Sequence, residues 1–273
     1  MIGATMFVPQ KGAKGIKKME KTKAQEMLLR LSQQRKGNWD DMYQDIKERI
    51  KPSEEKNILD SDYFTMIDQN YPDSFKNSFK PPFVVYYKGD MDLISSNTKK
   101  IFIASRNNKE TLNKLLDNLT KTFNNNYIIV MILGIINNSK KIIDFANKNN
   151  IKIIAVSSCS FSELSEEKQS YVNDIMNNGG LVLTETPYGV KENSYFVESQ
   201  QRLAVAIADD IVILPQEEKT YLKFCVNCIF KMAKDDKMFV VPSLFDSNDK
   251  LYTNKLILNG ASALVDTKQL VEE

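Results

Sequence analysis

From residue 83 onward, apolar residues come in seven short, nearly unbroken runs: "FVVYY", "IFIAS", "YIIVMIL", "IKIIAVS", "LVLTE", "DIVILP" and "MFVVP". A strand with one wet face alternates apolar and polar residues, so a continuous run predicts a strand covered on both faces. Between most runs the period becomes that of a helix. Leu112, Leu115, Leu116 and Leu119 share one face; Tyr171, Val172, Ile175 and Met176 share a second; Leu203, Ala204 and Ile207 share a third. Ser165, with Glu166 and Glu167 behind it, has the chemistry of a helix N-cap and first turn. Strands alternating with helices predict an α/β fold, a doubly wound and mostly parallel sheet.

The chain before residue 83 reads differently. Gly3, Gly12 and Gly15 mark residues 1–18 as unstructured. Met27, Leu28 and Leu31, then Trp39, Met42 and Ile46, recur at helical spacing over residues 20–50, and Pro52 ends that unit. Residues 1–60 are therefore expected to form a basic tail plus a small helical unit, and 61–273 the α/β domain.

Composition narrows the function. At 42% hydrophobic and 26% charged residues, the chain is an ordinary globular one. No apolar stretch reaches the roughly 18–20 residues of a membrane span, and no secretory apolar run follows the charged N-terminus. With three Cys, an odd number, the expectation is a reducing, cytoplasmic setting and no membrane. There is no His, which excludes Ser–His and Cys–His pairs, HExxH zinc sites and a His general base. The net charge of +2 is uneven: residues 1–36 hold nine Lys/Arg against two Glu. That arm is either a solvated tail or a contact for nucleic acid.

Beyond residue 49 the chain has just two arginines, Arg106 and Arg202, and otherwise uses Lys for positive charge. Arg106 follows Ser105 where the run "IFIAS" ends and a helix is about to begin. A helix N-terminus at the carboxyl end of a strand favours an anion, and a guanidinium adds a bidentate fork for phosphate. The alternative is a surface Arg paired with a carboxylate.

From Tyr71 to the C-terminus the sequence resembles the DprA/Smf family of DNA-processing proteins. The resemblance is carried, in order, by Tyr71-Pro72 with "PPFVVYYKG" (81–89), "IASR" (103–106), "GGLVLTETPYG" (179–189), "RLAVAIADDIVIL" (202–214), and "FVVPSLFD" with "YTNKLILNGA" (239–261). It implies a Rossmann-like domain, binding of single-stranded DNA without catalytic turnover or cofactor, a homodimer, and help in loading RecA recombinase during DNA-mediated transformation or recombination. It also implies that Arg106 and Arg202 face the pocket that holds single-stranded DNA; with Ser105 they are expected to grip backbone phosphates, with Gln201, Lys140 and Lys219 beside them and Ala104, Gly134 and Glu185 supporting the crevice.

The departures are specific. Ala104 and Gln201 replace the family's Gly and Asn. Its glycine-rich loop is aligned with "LGIINNSKKIID", residues 133–144, where only Gly134 survives and Asn137, Lys140 and Asp144 stand at the family's Arg, Asp and His. Lys140, Lys141, Lys219 and Lys223 are expected to restore part of the positive potential, without bidentate geometry. A C-terminal winged-helix segment is expected to be absent.

Three other features carry two readings each. Cys225 and Cys228 have CxxC spacing but share an apolar face with Leu222, Ile229 and Met232, so they are core thiols or a redox or metal pair; zinc needs four ligands and Cys159 is the only other thiol. Glu185 either supports Arg106 or Arg202 from behind or forms a buried ion pair. Tyr195 and Phe196 either stack on bases or anchor their helix. No GxxxxGK[ST] or GxGxxG is present, and "PQEEKTY" after "DIVILP" lacks the glycines of a phosphoribohydrolase loop. The alternatives to DNA binding are a diverged scaffold for a protein partner and a nucleotide-binding sensor of related fold.

Overall fold

The structure is a computed structural model, and it describes residues 21–55, 57–105, 109–134, 136–216, 220–243 and 251–271. Helices α1 (Lys23–Gln34) and α2 (Trp39–Glu48) come first, then β1 (Asp62–Thr65), α3 (Asp73–Lys76), β2 (Val84–Gly89) and α4 (Asp92–Ser95). Regular alternation follows: β3 (Lys100–Ala104), α5 (Lys109–Phe123), β4 (Ile128–Leu133), α6 (Ile136–Asn149), β5 (Lys152–Ser157), α7 (Glu166–Asn177), β6 (Leu181–Thr184), α8 (Ser194–Ile207) and β7 (Asp210–Ile213). The chain closes with α9 (Thr220–Lys231), β8 (Met238–Val240), α10 (Leu251–Leu258) and β9 (Ser262–Ala263).

The nine strands form one sheet in the order β1-β2-β6-β5-β4-β3-β7-β8-β9. All pairs from β6 to β9 are parallel; β2 runs antiparallel to both β6 and β1. The seven apolar runs are β2 to β8. The antiparallel β1 and the two-residue β9 had no comparable run to reveal them.

The unbroken runs have a direct cause. Along β3, Ile101 and Ile103 face one core while Phe102 and Ala104 face the other. Along β4, Ile129, Met131 and Leu133 oppose Ile128 and Val130 in the same way. One face is covered by Leu112, Leu116 and Leu119 of α5, Ile142 of α6 and Val172 of α7, the other by Leu203 and Val205 of α8 and Leu222 and Ile229 of α9. Each such side chain contributes about 1.5–3 kcal/mol on burial.

Ser165 caps α7, its Oγ accepting from Lys168 N at 3.3 Å. Leu29, Leu31 and Met42 of the N-terminal helices pack into the same core as Val84 and Tyr86 of β2. Met27, Ile46 and Met176 stay exposed although they share the helical spacing of their buried neighbours.

Candidate functional site

Strand order reverses between β3 and β7. The chain winds outward from β3 through β4, β5 and β6, then returns to place β7 on the other side. A crevice opens at such a switch point beyond the carboxyl ends of the strands, where ligands of open α/β sheets bind. Ser105 follows β3 directly, and the Ala104 carbonyl accepts from Leu214 N at 3.1 Å and from Gln216 Nε2 at 3.2 Å, tying the two strand ends together.

Segment 133–144, aligned with a glycine-rich loop, is mostly not a loop. β4 runs to Leu133 and α6 begins at Ile136, with Gly134 between them. Ile142, Ile143 and Ala146 are buried at helical spacing and pull the segment into a helix. A Cβ added at Gly134 would meet nothing within 4 Å, so no close backbone approach requires glycine there. Lys140 lies exposed on α6, paired with Asp144 at 3.2 Å. Asn138, in the first turn, donates from Nδ2 to Ser105 Oγ at 2.9 Å and so links α6 to β3.

Beside Ser105 is a cavity of about 20 Å³, lined among others by Ala104, Asn138, Ser139, Gln201 and Cys225. Gln201 comes from α8, whose middle is polar yet buried: Ser199, Gln200, Gln201 and Arg202 precede the apolar Leu203–Ile207. Asn138 Oδ1, Gln200 Oε1, Gln201 Oε1 and Thr186 Oγ1 are buried with no hydrogen-bond partner. Native interiors leave few such groups, and two of these residues, Asn138 and Gln201, line the same cavity.

Arg202 departs from its expected place over the crevice. It is 3% exposed, and its guanidinium meets the Glu185 carboxylate, itself 7% exposed. It also donates to Ser199 Oγ at 3.1 Å and to the carbonyls of Phe79 and Lys80. Ser199 Oγ in turn donates to Glu185 at 2.5 Å. A guanidinium shared among four acceptors and shut from solvent is a strut joining α8, the end of β6 and the chain before β2; it is not a free fork for phosphate. Glu185 is accordingly half of a buried ion pair. Arg106 and Lys219 lie outside the described residues.

Tyr195 and Phe196 anchor their helix. Tyr195 Oη accepts from Trp39 N at 2.7 Å, burial pushing its phenol up to about 12, and Phe196 is buried. Gly37, at φ +74°, fits under the Glu185 carbonyl, where a Cβ would come within 2.7 Å. The N-terminal helices are thus latched to the edge of the site. Cys225 and Cys228 are buried in the core, and burial raises both thiols, Cys228 to about 11.

At the end of β5, Ser158 and Lys168 both donate to the Glu192 carboxylate. Burial raises Glu192, but these contacts more than offset it and its net pKa is lowered. Reading the sequence missed Asn138, Gln200 and Thr186. The available signal was a run of amides ahead of "LAVAI" in a helix that otherwise faces the core.

With this geometry in hand, residues 62–273 match the family model for DNA recombination-mediator protein A. The chain is 26% identical over 212 residues to the DNA processing protein DprA of Bacillus subtilis (strain 168), covering 75% of this chain and 68% of that protein. It is 25% identical over 146 residues to Protein Smf of Borreliella burgdorferi, covering 53% of this chain and 46% of that one. Among solved structures, DNA processing protein A from Streptococcus pneumoniae superposes with a TM-score of 0.69 at 19% identity, over 86% of this chain and 80% of that one. DNA processing protein A from Helicobacter pylori, described for its single-stranded DNA binding mode, gives 0.62 at 22%, over 78% of this chain and 95% of that one.

Proposed function

The chain belongs to the DNA recombination-mediator protein A family, the DprA/Smf proteins, and from that premise we propose that it binds single-stranded DNA in the β3–β7 crevice without catalytic turnover. The observation that carries this reading is the match across residues 62–273, which includes every strand bordering the crevice. The single-strand mode described for the Helicobacter pylori protein gives the ligand its class.

In this reading Ser105 and Arg106 meet the backbone where β3 ends. Lys140 and Lys219 are the further cations that this reading assigns to the strand, and Gln201 lines the cavity beside Ser105. Arg202 acts from behind, holding the buried polar stretch of α8, residues 199–202, in place through Glu185. The cellular role that follows is DNA processing in uptake or recombination, in the cytoplasm, as a homodimer that helps load RecA. No helix of the described residues is long and apolar enough to cross a membrane.

A second reading, a diverged scaffold whose crevice is idle and whose surface takes a protein partner, is favoured by one observation: Arg202 is internally satisfied. A salt-titrated shift of a labelled oligo-dT separates the two. A phosphate grip weakens as salt rises, and Arg106→Ala makes the log–log slope shallower by about 0.7 for one lost contact. Absence of any salt-dependent shift refutes the single-strand reading.

A further inference from the structure

At the floor of the crevice two side-chain oxygens lack a donor: Asn138 Oδ1 and Gln201 Oε1. The residues are 2% and 1% exposed, and both line the small cavity beside Ser105. The orientation of Gln201 is fixed by chemistry. Its amide lies 3.1 Å from the Val197 carbonyl, which can only accept, so the NH₂ faces Val197 and Oε1 faces elsewhere. Asn138 gives its own NH₂ to Ser105 Oγ. Each NH₂ thus has an acceptor, and the side-chain atoms left without a partner are the two oxygens.

A phosphate oxygen is itself an acceptor and would leave both of these oxygens without a partner. A donor suits the floor, provided it is small: about 20 Å³ holds one group the size of a water molecule. Resting on the single-strand reading above, we propose that the crevice floor receives the exocyclic amino group of a nucleobase, with Gln201 and Asn138 as its acceptors. Phosphates are then held at the rim and the base is selected beneath them. Cytosine and adenine project an amino group from the base edge; thymine and uracil present a carbonyl oxygen at the corresponding position. Uracil's one ring N–H sits between two carbonyl oxygens, which would crowd against the two acceptors.

The test compares oligo-dC with oligo-dU of equal length on the full chain, by fluorescence polarisation at several salt concentrations. Cytosine and uracil differ at C4 and in the N3 proton that goes with it. The expected result is about threefold to tenfold tighter binding of oligo-dC, the worth of one net hydrogen bond. Gln201→Met brings the dC:dU ratio to about one. That ratio is internal to each protein, so a general loss of affinity does not disturb it. Asn138→Leu moves it the same way, and the ratio in the unsubstituted protein decides the matter if either variant fails to fold. Equal, salt-dependent affinities for the two oligonucleotides overturn this proposal and leave the single-strand reading standing. A preference that survives in Gln201→Met overturns it too. Failure of both oligonucleotides to bind overturns the single-strand reading and this proposal with it.

Discussion

Replacing Arg202 by alanine removes the cation from a pair whose side chains are 4% and 7% exposed. Glu185 keeps the Ser199 hydroxyl but loses its counter-charge, and the Lys80 carbonyl loses a donor. Breaking one side of a buried ion pair costs about 3–5 kcal/mol, because the abandoned charge stays desolvated. That is a large share of the roughly 5–15 kcal/mol by which a native fold is stable. With a urea m-value of about 3 kcal/mol/M, the unfolding midpoint should fall by about 1–2 M. Arg202→Lys keeps the charge but not the planar fork that serves four acceptors, so its midpoint should lie between the two. The double variant Arg202→Met, Glu185→Leu removes both charges and should recover most of the loss. An Arg202→Ala protein with an unchanged midpoint and abolished oligonucleotide binding would refute the reasoning, since Arg202 would then face the ligand and not Glu185.

Three further outcomes follow from burial. Lys234 Nζ donates to the carbonyls of Val205, Ala206 and Ala208 at 2.9, 3.0 and 2.6 Å, closing the C-terminus of α8; Lys234→Met should lower stability by about 1–3 kcal/mol in urea titrations. Burial pushes Tyr127 and Tyr195 up to about 12, against about 10 in the unfolded chain. The folded state holds these protons longer, so their contribution is complete below pH 10 and is lost as pH rises from 10 to 12. Thermal midpoints should fall across that window, with phenolate absorbance rising as the fold is lost. The thiols of Cys159, Cys225 and Cys228 are buried with raised pKa values. A thiol reagent should label none of them in the native protein and all three in denaturant; rapid native labelling of Cys225 or Cys228 would contradict their core placement.

The sequence by itself determined the layered α/β architecture and the family. Short apolar runs bounded by turns suit a strand covered on both faces, and helical spacing between them supplied the covering layers. Motif order from Tyr71 to Ala261 needed no coordinates either. What the tertiary structure decided was the direction in which polar side chains point. The motif places Arg202 on the right helix, but its acceptors at Phe79, Lys80 and Glu185 lie 123, 122 and 17 residues away. No local pattern encodes a guanidinium turned inward against groups so distant in the chain. Segment 133–144 shows the same limit: the alignment makes it a loop, and the packing of Ile142, Ile143 and Ala146 against the sheet makes it a helix. The unpartnered amides of the crevice floor exist only once β4, α6 and α8 have met, because satisfaction of a polar atom is a property of its neighbours in space.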